Sequence, residues 1–134
     1  MTALPPDSGV YGHLWSTPEL RELFDDAGRT QGWLDVLAAL AAAQASRGLV
    51  PVEAAEAIAA HADVTLLDLE AVAAGTRATG HSTLGLIRSL REVLPAEAAE
   101  WVYYGATVQD VTDTWTALVM RAVLDVVERD VLRC

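Results

Sequence analysis

From Val108 to Cys134 the chain contains neither glycine nor proline. A stretch of that length without either breaker suits one long helix and little else. Val111, Leu118, Val119, Ala122, Leu124, Val126 and Val127 are spread broadly around its circumference instead of forming one stripe. A helix apolar on most sides is normally buried between other helices. The spacing therefore predicts an all-α chain whose last helix belongs to a helix bundle. The pattern is still in full course at Cys134, so that helix reads as truncated.

The rest of the sequence supports this class. Hydrophobic residues make up 52% and aromatics only 6%, and no period-2 alternation persists. Small apolar side chains in that number favour closely packed helices over sheets. Ser16 and Glu19 form a capping-box pattern with Pro18 in the first turn, starting a short helix from about Thr17 to Asp26. A long helix follows to near Arg47, with Trp33, Leu34, Leu37, Leu40 and Ala41 on one stripe and Gly48 as its C′ residue. Further helices are expected after Pro51, from Leu66 to about Ala78, and from a Ser82 or Thr83 cap to a stop before Pro95. The segment "AEAAE" suits one or two turns. Three regions result: an irregular segment over 1–15, a helical domain over 16–106, and the bundle helix over 107–134.

Charge narrows the partners. The net charge is −10, and all nine basic residues are Arg. Such a surface repels phosphate backbones and anionic lipid heads, so neither nucleic acid nor a membrane is an expected partner. The longest apolar run, "VLAALAAA", is far short of the roughly 20 residues of a membrane span. The N-terminus lacks the basic and apolar regions of a secretory signal. Cys134 is the single cysteine, which excludes an intrachain disulfide and agrees with a cytoplasmic location.

Two polar junctions interrupt the helical pattern. In "EWVYYGATVQDVTDTW", Thr107 and Asp110 form a T-x-x-D capping box. The same geometry also offers an anion site, with the Thr107 hydroxyl and the amides of Val108 and Gln109 as donors. Asp110 and Asp113 partly cancel that field, so an anionic ligand would need cations from elsewhere. In "ATGHST", His81 stands between a helix-ending glycine and a helix-starting hydroxyl pair. It can act as a cap, or as a proton carrier near neutral pH. His13 falls in the irregular segment and His61 near a helix end, where it suits the dipole.

These junctions resemble conserved segments of the fumarase/aspartase superfamily. "RATGHSTLGLIR" is similar to a family element of the type T-x-H-[DP]. "EWVYYGATVQDVTDT" is similar to W-V-H-[WY]-G-[AL]-T-S-x-D-[VI]-x-D-T, and "WLDVLAALAAAQASRGLVP" to a third segment upstream. The nearest branch is that of adenylosuccinate lyase and 3-carboxy-cis,cis-muconate cycloisomerase. The resemblance runs from about Ser16 to the end.

The resemblance implies the N-terminal part of an all-α homotetramer built on a long helix bundle. The family cleaves C–N or C–O bonds by β-elimination, releasing fumarate; the cycloisomerase opens or closes a lactone. No cofactor and no metal is implied. The expected ligand is a small dicarboxylate-containing substrate. His81 is then an auxiliary acid/base, with Ser82 as its neighbour. Thr107 binds a substrate carboxylate, with Val108 and Gln109 in the same turn and Asp110 as a cap. Tyr103 stands where the family usually has His, and Val108 where it usually has Ser. Leu14-Trp15 stands where adenylosuccinate lyases commonly have the Arg-Tyr that helps hold a phosphate. The family's catalytic serine loop and its T-H-x-Q histidine have no counterpart here, so the chain by itself is expected to be inactive. The alternatives are the cycloisomerase and, in a different class, a catalytically silent helical association module.

Overall fold

The computed structural model describes residues 8–134, and no strand occurs among them. Seven α-helices follow in order: α1 Pro18–Phe24, α2 Asp26–Ala45, α3 Val52–His61, α4 Leu69–Thr79, α5 Leu84–Val93, α6 Ala96–Ala99 and α7 Val108–Val131. Short 3-10 turns cover Gly12–Leu14 and Val64–Leu66. The expected irregular segment 1–15 falls partly on residues 1–7, outside the described residues. The rest of it holds the first of these turns.

The helices assemble by pairs. α2 packs chiefly on α3 and α7, and α4 packs on α5. Leu34, Ile58, Leu86 and Leu90 are completely buried, with Leu37, Ile87, Val102 and Val111 beside them. Each fully buried large aliphatic side chain contributes about 1.5–3 kcal/mol relative to exposure, before the entropy of ordering is set against it. The stripe read on α2 is thus the core face at Leu34, Leu37 and Ala41, while Trp33 and Leu40 are only partly covered.

Close backbone approach places the α4–α5 hairpin. A Cβ on Gly75 would stand 2.9 Å from the Cα of Gly85, and one on Gly85 would stand 2.4 Å from the carbonyl oxygen of Val72. The two helices therefore touch main chain to main chain. Gly80 takes the left-handed C-cap conformation, at φ 64°, and ends α4. The turn at 80–83 is held where these two constraints leave it.

Three expectations are corrected. Ser16 and Glu19 do not cap α1. Thr17 does, with its side chain accepting from the Leu20 amide at 3.2 Å. Pro18 is the first helical residue, so the extended residue before it is the cap. Glu19 instead accepts a salt bridge from Arg129 at 2.9 Å. The fourth helix starts at Leu69, not Leu66, because the Asp68 carboxylate accepts from the Glu70 amide at 2.9 Å. The third concerns α7: only Val111, Val119 and Val126 are buried, while Leu118, Met120, Leu124, Val127, Val131 and Leu132 are exposed. The helix is covered on one side only. Its anchor is aromatic: the Trp115 ring packs edge-on against Phe24 and Trp33, directly over Gly32, where a Cβ would meet the indole at 2.4 Å.

Candidate functional site

His81 starts α5 as a cap. Thr83, one of the two expected caps, holds the N-cap position, but its side chain makes no cap bond. The Leu84 amide donates to Nδ1 of His81 at 3.1 Å. A neutral imidazole accepting at Nδ1 carries its proton on Nε2, which leaves Nε2 as the donor available to a ligand. The His81 amide is itself tied back to Thr79 Oγ1 at 3.2 Å. The ring is partly buried and the turn beneath it is braced from both sides.

Ser82 is exposed and turns to a different surface. It lines a cleft of about 310 Å³ between α2 and α4 together with Arg29, Thr30, Trp33, Thr76 and Arg77. Thr83 points inward: it is 1% exposed and its hydroxyl oxygen has no hydrogen-bond partner. Buried hydroxyls are seldom left so, and those that are mark sites worth explaining.

The Tyr103 phenol is close enough to feel Thr83. The Tyr103 backbone has φ 65°, the only positive value outside glycine among the described residues. A bulky side chain in that conformation costs about 1–2 kcal/mol and persists only where the surroundings impose it. Burial pushes the phenol above its ordinary value near 10. The Thr83 hydroxyl works against that rise, and the Asp110 carboxylate adds to it. The Thr83 hydroxyl influences the phenol without completing a bond of ordinary geometry. Tyr103 thus stands between the turn that carries His81 and the cap that carries Thr107.

At the start of α7 the capping box is present, and the Asp110 side chain makes its firm half. The Asp110 carboxylate accepts from the Thr107 amide at 2.7 Å and from the Thr107 hydroxyl at 3.1 Å. The Thr107 hydroxyl is therefore already engaged, and an acidic group sits over the helix start. The amides of Val108 and Gln109 keep the orphan character of any first turn. Gln109 is exposed and Val108 partly so. Asp110 also borders a mostly apolar groove of about 660 Å³ between α2 and α7, with Asp35, Leu40, Tyr104 and Leu118. His81 and Thr107 line neither this groove nor the Ser82 cleft.

Sequence reasoning missed the buried Thr83 hydroxyl and the left-handed Tyr103. Nothing in "WVYYG" signals the latter except Gly105, which shares the turn and has φ 66°. No cluster of three or more His, Cys, Asp or Glu suited to a metal occurs among the described residues. None of the helices is long and apolar enough to cross a membrane.

No family model matches the chain. Individual relatives do. The chain is 41% identical over 124 residues to 3-carboxy-cis,cis-muconate cycloisomerase of Pseudomonas putida, covering 90% of this chain and 29% of that protein. It is 37% identical over 114 residues to adenylosuccinate lyase of Methanocaldococcus jannaschii, covering 85% of this chain and 25% of that protein. Its fold superposes on the crystal structure of the 3-carboxy-cis,cis-muconate lactonizing enzyme from Pseudomonas putida with a TM-score of 0.86, at 40% identity, over 92% of this chain and 29% of that one. The chain belongs to the fumarase/aspartase superfamily. It spans between a quarter and a third of the length of these superfamily relatives. Their names cover both lyase and cycloisomerase chemistry. The superfamily-like motifs at His81 and Thr107 thus lie on two different helix starts, with Tyr103 between them.

Proposed function

We propose that this chain supplies a substrate-binding corner of a β-eliminating lyase acting on a dicarboxylate-containing compound. The observation that carries the reading is the position of Tyr103, bordered by Thr83 of the His81 turn and by Asp110 of the Thr107 cap. In this reading a substrate carboxylate takes the amides of Val108 and Gln109 and the Thr107 hydroxyl, which turns from Asp110 toward the ligand. Tyr103 is a neutral donor beside it. Nε2 of His81 is the auxiliary proton donor, and Ser82 contributes from the neighbouring surface. The elimination requires a base for the proton next to the carboxylate, donors for the dianionic intermediate and an acid for the leaving group. The corner offers donors and one auxiliary acid. The base and principal acid must come from other residues, so the chain by itself is inactive.

A second reading within the same fold is lactone chemistry, as in the cycloisomerases. The 41% identity to one of them favours it, as does Leu14-Trp15 at the position of the phosphate-holding Arg-Tyr. Turnover by the intact gene product separates the two. Loss of adenylosuccinate absorbance supports the lyase; lactone formation from 3-carboxymuconate supports the cycloisomerase.

Thr107→Val in the intact gene product tests the corner itself. One hydrogen bond to a charged group is worth about 1.5–3 kcal/mol, so substrate affinity should fall roughly 10- to 100-fold. Unchanged kinetics would remove Thr107 from the site.

Association into a homotetramer is part of the proposal. The exposed face of α7 supports it, with Leu124 62% and Leu132 80% exposed. Contiguous apolar surface of that kind is typical of helix faces that other helices cover. Sedimentation of the intact gene product checks it, and a monomer would refute it.

A further inference from the structure

Tyr103 keeps a backbone conformation that its own side chain disfavours, at φ 65°. Such a step persists only where the surroundings impose it. The peptide units around it are all engaged. The Val102 carbonyl accepts from Nη2 of Arg91 at 3.0 Å. The following unit is tied inside the turn: the Tyr104 amide donates to the Trp101 carbonyl at 3.3 Å, and the Tyr103 carbonyl accepts from the Ala106 amide at 3.2 Å. The Tyr104 carbonyl accepts from Nε2 of Gln44 at 2.7 Å. Each peptide unit is planar, so φ and ψ of a residue are set once the units before and after it are fixed.

The turn bonds fix these units only relative to one another. Two side chains tie the turn to the rest of the fold on either side of Tyr103, Arg91 from α5 and Gln44 from α2. Val102 is 1% exposed, which leaves its carbonyl few other donors. Arg91 belongs to a chain with 19 acidic residues, yet it takes part in none of the salt bridges among the described residues and serves main chain instead. Gln44 gives its N–H to Tyr104 while its Oε1 is shielded from solvent and has no donor. An amide with a looser role would turn that oxygen to water. With the Val102 unit held, a change of φ at Tyr103 would swing its Cβ about the N–Cα bond. The same two anchors therefore decide where the phenol goes. We propose that Arg91 and Gln44 are positioning residues that hold Tyr103 left-handed and so aim its phenol into the substrate corner. This role presupposes that Tyr103 donates to substrate, as proposed above.

A double-mutant cycle in the intact gene product tests the clamp, read as KM for whichever of adenylosuccinate and 3-carboxymuconate it turns over. Tyr103→Phe should raise KM roughly 10- to 100-fold with kcat little changed, the loss of one hydrogen bond to a charged group. Arg91→Met keeps the stem and removes the donors, and should raise KM about tenfold. Gln44→Met should do the same. In the Tyr103→Phe background neither should add to the effect, because the donor that they position is already gone. Arg91→Lys can still donate to a carbonyl and should recover most of the loss. Crystals of the Arg91→Met, Gln44→Met double variant should show Tyr103 at negative φ. A positive φ kept there overturns the proposal. So do KM increases of equal size in both backgrounds, which a general loss of structure would give, or an unchanged KM in both single variants. If Tyr103→Phe alone leaves KM unchanged, the reading of Tyr103 as a substrate contact fails, and the positioning role falls with it.

Discussion

The backbone amide of Leu84 donates to Nδ1 of His81 at 3.1 Å, so the imidazole that the motif marks for proton chemistry also starts a helix. Protonating Nδ1 would turn the acceptor into a donor and break the cap. Replacing His81 by Ala should lower stability by about 0.5–2 kcal/mol, the range for a lost cap. Asn at this position, itself a good cap, should recover most of the loss. Urea denaturation of the three proteins checks both statements.

Gly85→Ala tests the hairpin. The new Cβ would meet the Val72 carbonyl oxygen at 2.4 Å, and main chain cannot yield as a side-chain tip does. Overpacking of this kind costs about 1–3 kcal/mol. The urea midpoint should fall accordingly, and amide shifts should spread through the turn at 80–83.

Tyr103 predicts an alkaline limb in stability. Burial raises the phenol, so the folded chain holds that proton more tightly than the unfolded chain does. The contribution is complete below the ordinary value near 10 and is lost as pH rises through the folded value. As pH rises past the ordinary phenol value near 10, the wild type should lose stability more steeply than Tyr103→Phe. Parallel curves for the two proteins would contradict the burial of the phenol.

Asp110→Ala removes the acceptor of both the Thr107 amide and its hydroxyl. The start of α7 should lose about 0.5–2 kcal/mol. Hydrogen exchange should quicken over the first turn of α7 before it quickens at Val119 or Val126. Uniform quickening along the helix would show that the cap is not what holds this end.

Much of this architecture was legible from residue order alone. The long α7, the Gly80 break and the core stripe on α2 follow from periodicity and from breakers, which act over a few residues. The cap of α1 was misplaced by one residue because Ser16 and Thr17 offer the same chemistry, and only the position of Pro18 decides between them. The exposure of the outer side of α7 was not legible, since a pattern apolar all round says that partners are wanted and not which are at hand. At the candidate site, Thr107 and Asp110 could be paired from spacing because their bonds are local. The link from Thr83 through Tyr103 to Asp110 could not, because it depends on an unusual backbone step at a residue that normally avoids it. Ser82 adjoins His81 in sequence, yet consecutive residues of a tight turn face different ways, and only the structure shows that it also lines the cleft with Arg29 and Arg77.

The main-chain contact between Gly75 and Gly85 has a mechanical corollary. Side chains that interdigitate can slide and repack, but two backbones already touching have nothing left to compress. At this crossing α4 and α5 have no layer of side chains between them, so any bulk added at either glycine would wedge the hairpin open.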